Sequence, residues 1–150
     1  MSDGSETAKD AAAGPPAPAP AASTAVVAAA RWFWWIAGLS LINVVLTRSG
    51  SDTNFVLGLG VTLVADAMFA GSQAVALSID AIAIAFFFLM GWQAQGGRLW
   101  AFALGIGVYA LDALIYVRFE DWMPVAFHAL AIFFLVRGAL MLRRQAGSPA

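Results

Sequence analysis

The chain contains no cysteine and a single histidine, His128, which removes several chemistries at once. Disulfide frameworks, zinc knuckles and thiol nucleophiles all need cysteine. A bis-histidine haem or an all-histidine metal site needs a second imidazole. Charge is scarce as well: 11% of the residues are Asp, Glu, Lys or Arg, where soluble domains carry roughly a quarter. The basic residues are scattered and the formal net charge is −1, so no nucleic-acid footprint is present. There is no HExxH, no GxSxG and no phosphate loop, and a mixed Asp/Asp/His metal site lacks any supporting ligand spacing. Ser72 and Ser78 lie near Asp80 but have no recognisable activating base or oxyanion hole. The expectation is a chain without catalytic residues, metal or cofactor.

What is abundant is apolar: 61% of the chain is hydrophobic. A disordered Ala/Pro-rich tail is expected over residues 1–30, because AAAGPPAPAPAAS cannot sustain a helix and offers little bulk to pack. Its acidic start and its prolines are unlike a signal peptide. The remainder, 31–144, divides into apolar segments separated by short polar breaks, and 145–150 reads as a frayed end.

The first segment is WFWWIAGLSLINVVLT (32–47), extendable N-terminally over 25–30. Arg31 beside Trp32, Phe33, Trp34 and Trp35 suits a helix end at the lipid headgroups. Ser40, Asn43 and Thr47 fall on one face of that helix and should meet another helix, since an amide facing lipid is unpaired. After a loop at 48–54, the run 55–92 is too long for one span and barely long enough for two, with a break at Gly71-Ser72-Gln73. Its first half, with Gly58, Gly60 and Asp66, reads as a short span, a re-entrant half-helix or an interfacial helix. The GLG at 58–60 suggests close helix contact. Its second half, 74–92, is an ordinary span containing Asp80, with 83–90 read as lipid-facing bulk. Residues 99–117 and 123–142 form the last hairpin around RFEDW.

The fold class expected is therefore all-α: a multi-pass transmembrane bundle of four spans plus one short interfacial or re-entrant helix, with five spans as the alternative. Four crossings place both termini on one side of the membrane and five place them on opposite sides. Arg98, Arg143 and Arg144 favour a cytoplasmic C-terminus by the positive-inside rule. The Cys-free, Ala-rich, loop-poor composition suggests a bacterial inner (plasma) membrane.

The candidate ligand- or ion-binding residues are Asp80, Asp112, His128, Asp66, Asn43 and Tyr109. An ionised carboxylate in hydrocarbon costs about 2.5–3.5 kcal/mol on the insertion scale, so each Asp must be paired, protonated or facing water. Asp112 and His128 each lie eight residues from Glu120, and in an antiparallel hairpin they share one depth. Asp66 and Asp80 are likewise equidistant from Gln73. Helical spacing puts Gly105, Tyr109, Asp112 and Tyr116 on one face, and Pro124, His128, Ala131 and Leu135 on another. Two uses of the cluster compete. It can be interhelical glue, with hydrogen bonds that fix helix register. It can also be an outward-facing pocket in which a carboxylate–imidazole pair responds near neutral pH. The first gives a non-enzymatic accessory or scaffold subunit, partnered by the bilayer and by a homo-oligomer or larger membrane protein. The second gives a small transporter or a proton- or cation-binding membrane protein.

Overall fold

The computed structural model describes residues 22–50 and 58–147, and their regular structure is all helical. The helices are α1 (Thr24–Arg48), α2 (Gly60–Met68), α3 (Gln73–Gln95), α4 (Leu99–Arg118) and α5 (Trp122–Ala146). At 1.5 Å per residue, α1, α3, α4 and α5 are about 30–37 Å long, which matches a hydrocarbon layer of about 30 Å. These four are long and apolar enough to span a membrane. With nine residues, α2 reaches only about 13 Å and cannot.

The spans alternate in direction. Ala29, near the start of α1, lies against the site of Gly138, late in α5. Arg48, at the end of α1, reaches Asp80, early in α3. Phe33 packs on Gly105 early in α4. Hence Ser23, the α3–α4 turn and Ala146 lie at one end of the bundle, called here the terminal end. The α2–α3 and α4–α5 turns lie at the other, the turn end. This is the four-crossing arrangement, and the fifth crossing considered above does not occur. Around the bundle α1 packs on α3 and α5, α4 packs on the same two, and α2 is wedged against α3 and α4.

The core explains why these helices approach so closely. Phe33 is fully buried. Its ring lies where a Cβ on Gly105 would otherwise be, and the Trp34 indole lies where one on Gly91 would be, so each glycine makes room for an aromatic side chain of α1. Around Phe33, Phe87 and Phe102 tilt at centroid separations of 6.3 and 6.0 Å. Gly138 likewise admits Ala29 and Phe102. Small residues at interfaces are the means by which membrane helices gain van der Waals contact where no hydrophobic drive exists between them. Large side chains such as Trp35, Ile82, Trp92 and Leu111 point outward, as lipid-facing residues should.

Three sequence expectations need correction. Residues 24–30, placed above in the tail but with 25–30 also considered as an extension of the first span, are helical. Ser23 caps them, its Oγ accepting from Val26 N–H at 3.4 Å, and Val26 and Ala30 are fully buried. Alanine is a strong helix former once a cap and a packing surface exist. At the other terminus α5 continues through Ala146, so residues 145 and 146 are also helical. Residues 1–21 and 148–150 of the expected disorder lie outside the described residues, as do 51–54 of the expected loop and 55–57 of the apolar run that follows it.

The early start of α1 overturns the second expectation. It places the aromatic cluster eight residues and more into the helix instead of at its end. Trp32 stacks on Phe134 at 4.8 Å, and Trp34 Nε1–H donates to the Phe88 carbonyl. These aromatics join helices together. Third, the 83–90 run is not all lipid-facing: Ile84, Phe87 and Met90 recur every third residue and are buried in the core.

Candidate functional site

The four ionisable side chains singled out from the sequence form two separate groups, one at each end of α2. The first is built around Asp112. Its Oδ2 accepts from the backbone N–H of Gly60 at 2.8 Å and its Oδ1 from that of Val61 at 2.8 Å. A helix N-terminus presents unpaired N–H groups and the positive end of the helix dipole. Asp112, on α4, therefore supplies the cap that α2 lacks locally, since residue 59 at its N-cap is leucine. The same Oδ2 lies 2.9 Å from His128 Nε2. The equal spacing of Asp112 and His128 from Glu120 thus corresponds to a direct bond between the last two helices.

The protonation of that pair follows from hydrogen-bond balance. His128 Nδ1 lies 2.8 Å from the Pro124 carbonyl, which can only accept, so Nδ1 carries a proton. A second proton must then lie between Nε2 and Oδ2. The pair is either imidazolium–carboxylate or neutral imidazole with carboxylic acid, and both have zero net charge. Three donors or shared protons already surround the carboxyl group, and the His128 ring has partners on both nitrogens. Tyr109 stacks on that ring at 4.1 Å, and Tyr116 tilts against it at 5.3 Å. Both carboxyl oxygens and both ring nitrogens thus have partners within the chain, and Asp112 also borders an apolar hollow of about 520 Å³ between α2, α3 and α4.

Neighbouring bonds fix the segment leading into α2. Tyr116 Oη–H donates to the Gly58 carbonyl at 3.0 Å, and Leu59 N–H donates to Ser40 Oγ at 3.1 Å. Ser40 Oγ–H itself donates to Ile36 C=O at 2.8 Å. Gly58 is seated against the amide of Asn43, and Gly60 against Tyr116 and Ile115, where a Cβ would lie 3.0–3.1 Å from those side chains. The glycines of the GLG stretch serve close approach, as expected. Of the α1 polar stripe, Ser40 and Asn43 are buried while Thr47 is exposed. Ser40 meets the chain entering α2, not a neighbouring span. Non-helical backbone at membrane depth is tolerated only where protein satisfies its polar groups, and here Asp112, Tyr116 and Ser40 do so. The start of α2 lies level with Ser40 and Asp112, and the helix returns to the turn end beside Arg48. Of the three readings considered for it, a short span is excluded, and α2 is a short helix that does not cross.

The second group lies at the turn end. Arg48 Nη2 is 2.7 Å from Asp66 Oδ1 on α2 and 3.5 Å from Asp80 Oδ2 on α3. About a quarter of the Arg48 and Asp66 side chains is exposed, while Asp80 is fully buried. Asp80 Oδ1 has no hydrogen-bond partner among the described residues. A hollow of about 320 Å³ opens above the group, lined by Thr47, Arg48, Asp66, Phe69, Ala70, Gln73 and Ala76. Asp80 lies one turn deeper than Ala76 on the same face of α3. Two carboxylates therefore share one guanidinium, with the deeper carboxylate shielded from the hollow.

The sequence placed Asp66, Asp80, Asp112 and His128 near one depth but did not separate them into these two groups. It also missed Arg48, which reads as the first residue of a loop. One signal was available: between Arg31 and Arg98, Arg48 is the one basic residue, in a stretch that holds Asp66 and Asp80. The role of the Gly60 and Val61 amides had no side-chain signature at all. Tyr109 stacks on His128, and its buried Oη has no partner among the described residues. Also among the described residues, no three His, Asp or Glu side chains converge closely enough to hold a metal ion. No protein-family model, curated protein or solved structure matches the chain.

Proposed function

We propose that this is a non-enzymatic membrane protein that takes up a proton or a small cation at the Arg48–Asp66–Asp80 group. The observation that carries this reading is the orphaned Oδ1 of Asp80, fully buried at the end of a chain of three charges with one cation among them. An ionised carboxylate oxygen left without a donor in hydrocarbon is expensive. A proton on Asp80, or a cation held between Asp66 and Asp80, balances the group. The hollow between Thr47 and Gln73 offers the approach from the turn end.

The direct test is infrared spectroscopy of the purified protein in lipid nanodiscs. The expected result is a carboxylic-acid C=O band that disappears in Asp80→Asn, or a band that sodium, potassium or calcium removes in the wild type. The absence of both in well-folded protein would overturn the proposal. Arg48→Gln leaves two carboxylates without their cation and should lower stability by about 3–5 kcal/mol. Adding Asp80→Asn to that variant should recover most of the loss, because the buried charge is then gone. No recovery would count against a shared-charge site.

A second reading, an accessory or scaffold subunit in a homo-oligomer or larger membrane assembly, is favoured by the internally bonded Asp112–His128 clamp. A pair whose four polar atoms all find partners inside the chain fixes helix register. Proton and cation flux in liposomes separates the two: lost flux in Asp80→Asn with an intact fold supports ion handling, whereas unchanged flux supports the scaffold. For orientation, Arg31, Arg98, Arg143 and Arg144 belong to the terminal half of the bundle. We place that end in the cytoplasm, in a bacterial inner membrane, by the positive-inside rule.

A further inference from the structure

We propose that the C-terminal half of α5 carries a binding site for one anionic phospholipid. The phosphodiester would be held between Arg137 and Arg144, with acyl chains along Phe133, Val136 and Leu140. The two arginines are seven residues apart, two turns along one helix face. Both line a single hollow of about 370 Å³ whose remaining walls are Phe133, Val136, Leu140 and Met141. Arg137 also borders a second hollow, of about 300 Å³, between α5 and the Trp32 face of α1. A pair of cations beside an apolar surface hollow matches the form of an anionic lipid, which joins a charged headgroup to hydrocarbon.

The charge on this face has no counterpart inside the protein. Among the described residues, neither Arg137 nor Arg144 is within ion-pair distance of a carboxylate. Helix α1 contains no Asp or Glu, nor does α5. Arg137 is nine residues from the end of α5, about 13 Å inside it, so its guanidinium must reach back toward the headgroups. Arg144, two residues from the end of the helix, lines the same hollow. The two cations therefore converge on the hollow they share. Guanidinium groups bind phosphate oxygens through paired N–H donors, a geometry ammonium groups do not offer. A soluble phosphate would satisfy the arginines but would leave the apolar walls uncovered, which is why the lipid is the occupant proposed. The site is independent of the Arg48 group at the opposite end.

The test is native mass spectrometry and thermal unfolding of the detergent-purified protein, titrated with phosphatidylglycerol, phosphatidylcholine or inorganic phosphate. The expected result is one phosphatidylglycerol retained per chain and a raised Tm, with no such effect from phosphatidylcholine. Charge-assisted bonds of about 1.5–3 kcal/mol imply that Arg137→Gln/Arg144→Gln weakens retention about tenfold or more. Arg98→Gln should leave it unchanged. Should the double glutamine variant fold poorly without lipid, Arg137→Lys keeps the charge and loses the paired donors, and it should still bind more weakly than wild type. Equal retention of phosphatidylcholine would overturn the proposal, as would undiminished retention in the Arg137 variants. So would inorganic phosphate alone reproducing the Tm shift, since the ligand would then be a soluble anion.

Discussion

The clamp on α2 makes a quantitative prediction. In Asp112→Asn, one amide oxygen replaces two carboxylate oxygens, while the Gly60 and Val61 N–H groups and the His128 Nε2 side remain in place. The new NH2 can donate to neutral His128, but it then faces a backbone N–H across the former position of Oδ2. One buried donor is left without an acceptor, at a cost of about 1–3 kcal/mol. Asp112→Ala removes every acceptor and breaks a buried pair, for about 3–5 kcal/mol. The cost should fall on α2 first, because the helix is nine residues long and has no side-chain cap of its own. Hydrogen exchange in nanodiscs reads this directly. The Gly60 and Val61 amides should exchange about 10- to 100-fold faster in Asp112→Asn, at tenfold per 1.4 kcal/mol. The mid-helix amides of α3 and α5 should stay protected. Tyr116→Phe, which removes the bond to the Gly58 carbonyl, should loosen the same segment by about 0.5–1.5 kcal/mol. If α2 amides exchange no faster in Asp112→Ala, or if all helices loosen equally, Asp112 is not the anchor of a locally held short helix.

Two further outcomes follow from packing and topology. Gly138→Ala drives a methyl group into Ala29 and Phe102 and should destabilise by about 1–3 kcal/mol. Gly107→Ala points into open space and should be neutral or slightly stabilising through helix propensity; similar denaturation midpoints for the two would refute the close α1–α5 contact. Because Ser23 and Ala146 lie at the same end of the bundle, Ser2→Cys and Ser148→Cys should behave alike toward an impermeant thiol reagent in intact cells. Labelling of one and not the other would require a fifth crossing.

Periodicity carried the sequence reading a long way on α4 and α5. Every residue assigned to their inner faces, from Gly105 to Tyr116 and from Pro124 to Leu135, is buried. A tight hairpin converts equal spacing from its turn into equal depth, so the Asp112–His128 contact was legible from residue numbers alone. The same argument around Gln73 brought Asp66 and Asp80 to one neighbour but could not name it. Arg48 is last in its helix, where a cation ordinarily faces water. Only the packing of α2 on α3 brings Asp66 and Asp80 together within its reach. The sequence leaves the start of α1 between residues 25 and 31, because a Pro/Ala-rich prefix hides the point at which proline stops and helix-forming alanine begins; the helix starts at Thr24.

The sequence by itself determined the class of molecule: four apolar stretches of spanning length, too little charge for a soluble surface, and inner faces set by helical period. These are local properties, readable because bilayer thickness and the 3.6-residue turn impose fixed lengths and spacings on any chain that crosses. Tertiary structure alone decided what the polar residues do. Whether 55–70 crosses the membrane depends on whether backbone N–H and C=O groups at membrane depth find partners, and those partners, Ser40, Asp112 and Tyr116, come from helices distant in the chain. It also decided that both carboxyl oxygens of Asp112 have partners among the described residues while Oδ1 of Asp80 does not. That difference arises from which donors the fold brings within 3 Å of each carboxylate, and no spacing along the chain encodes it.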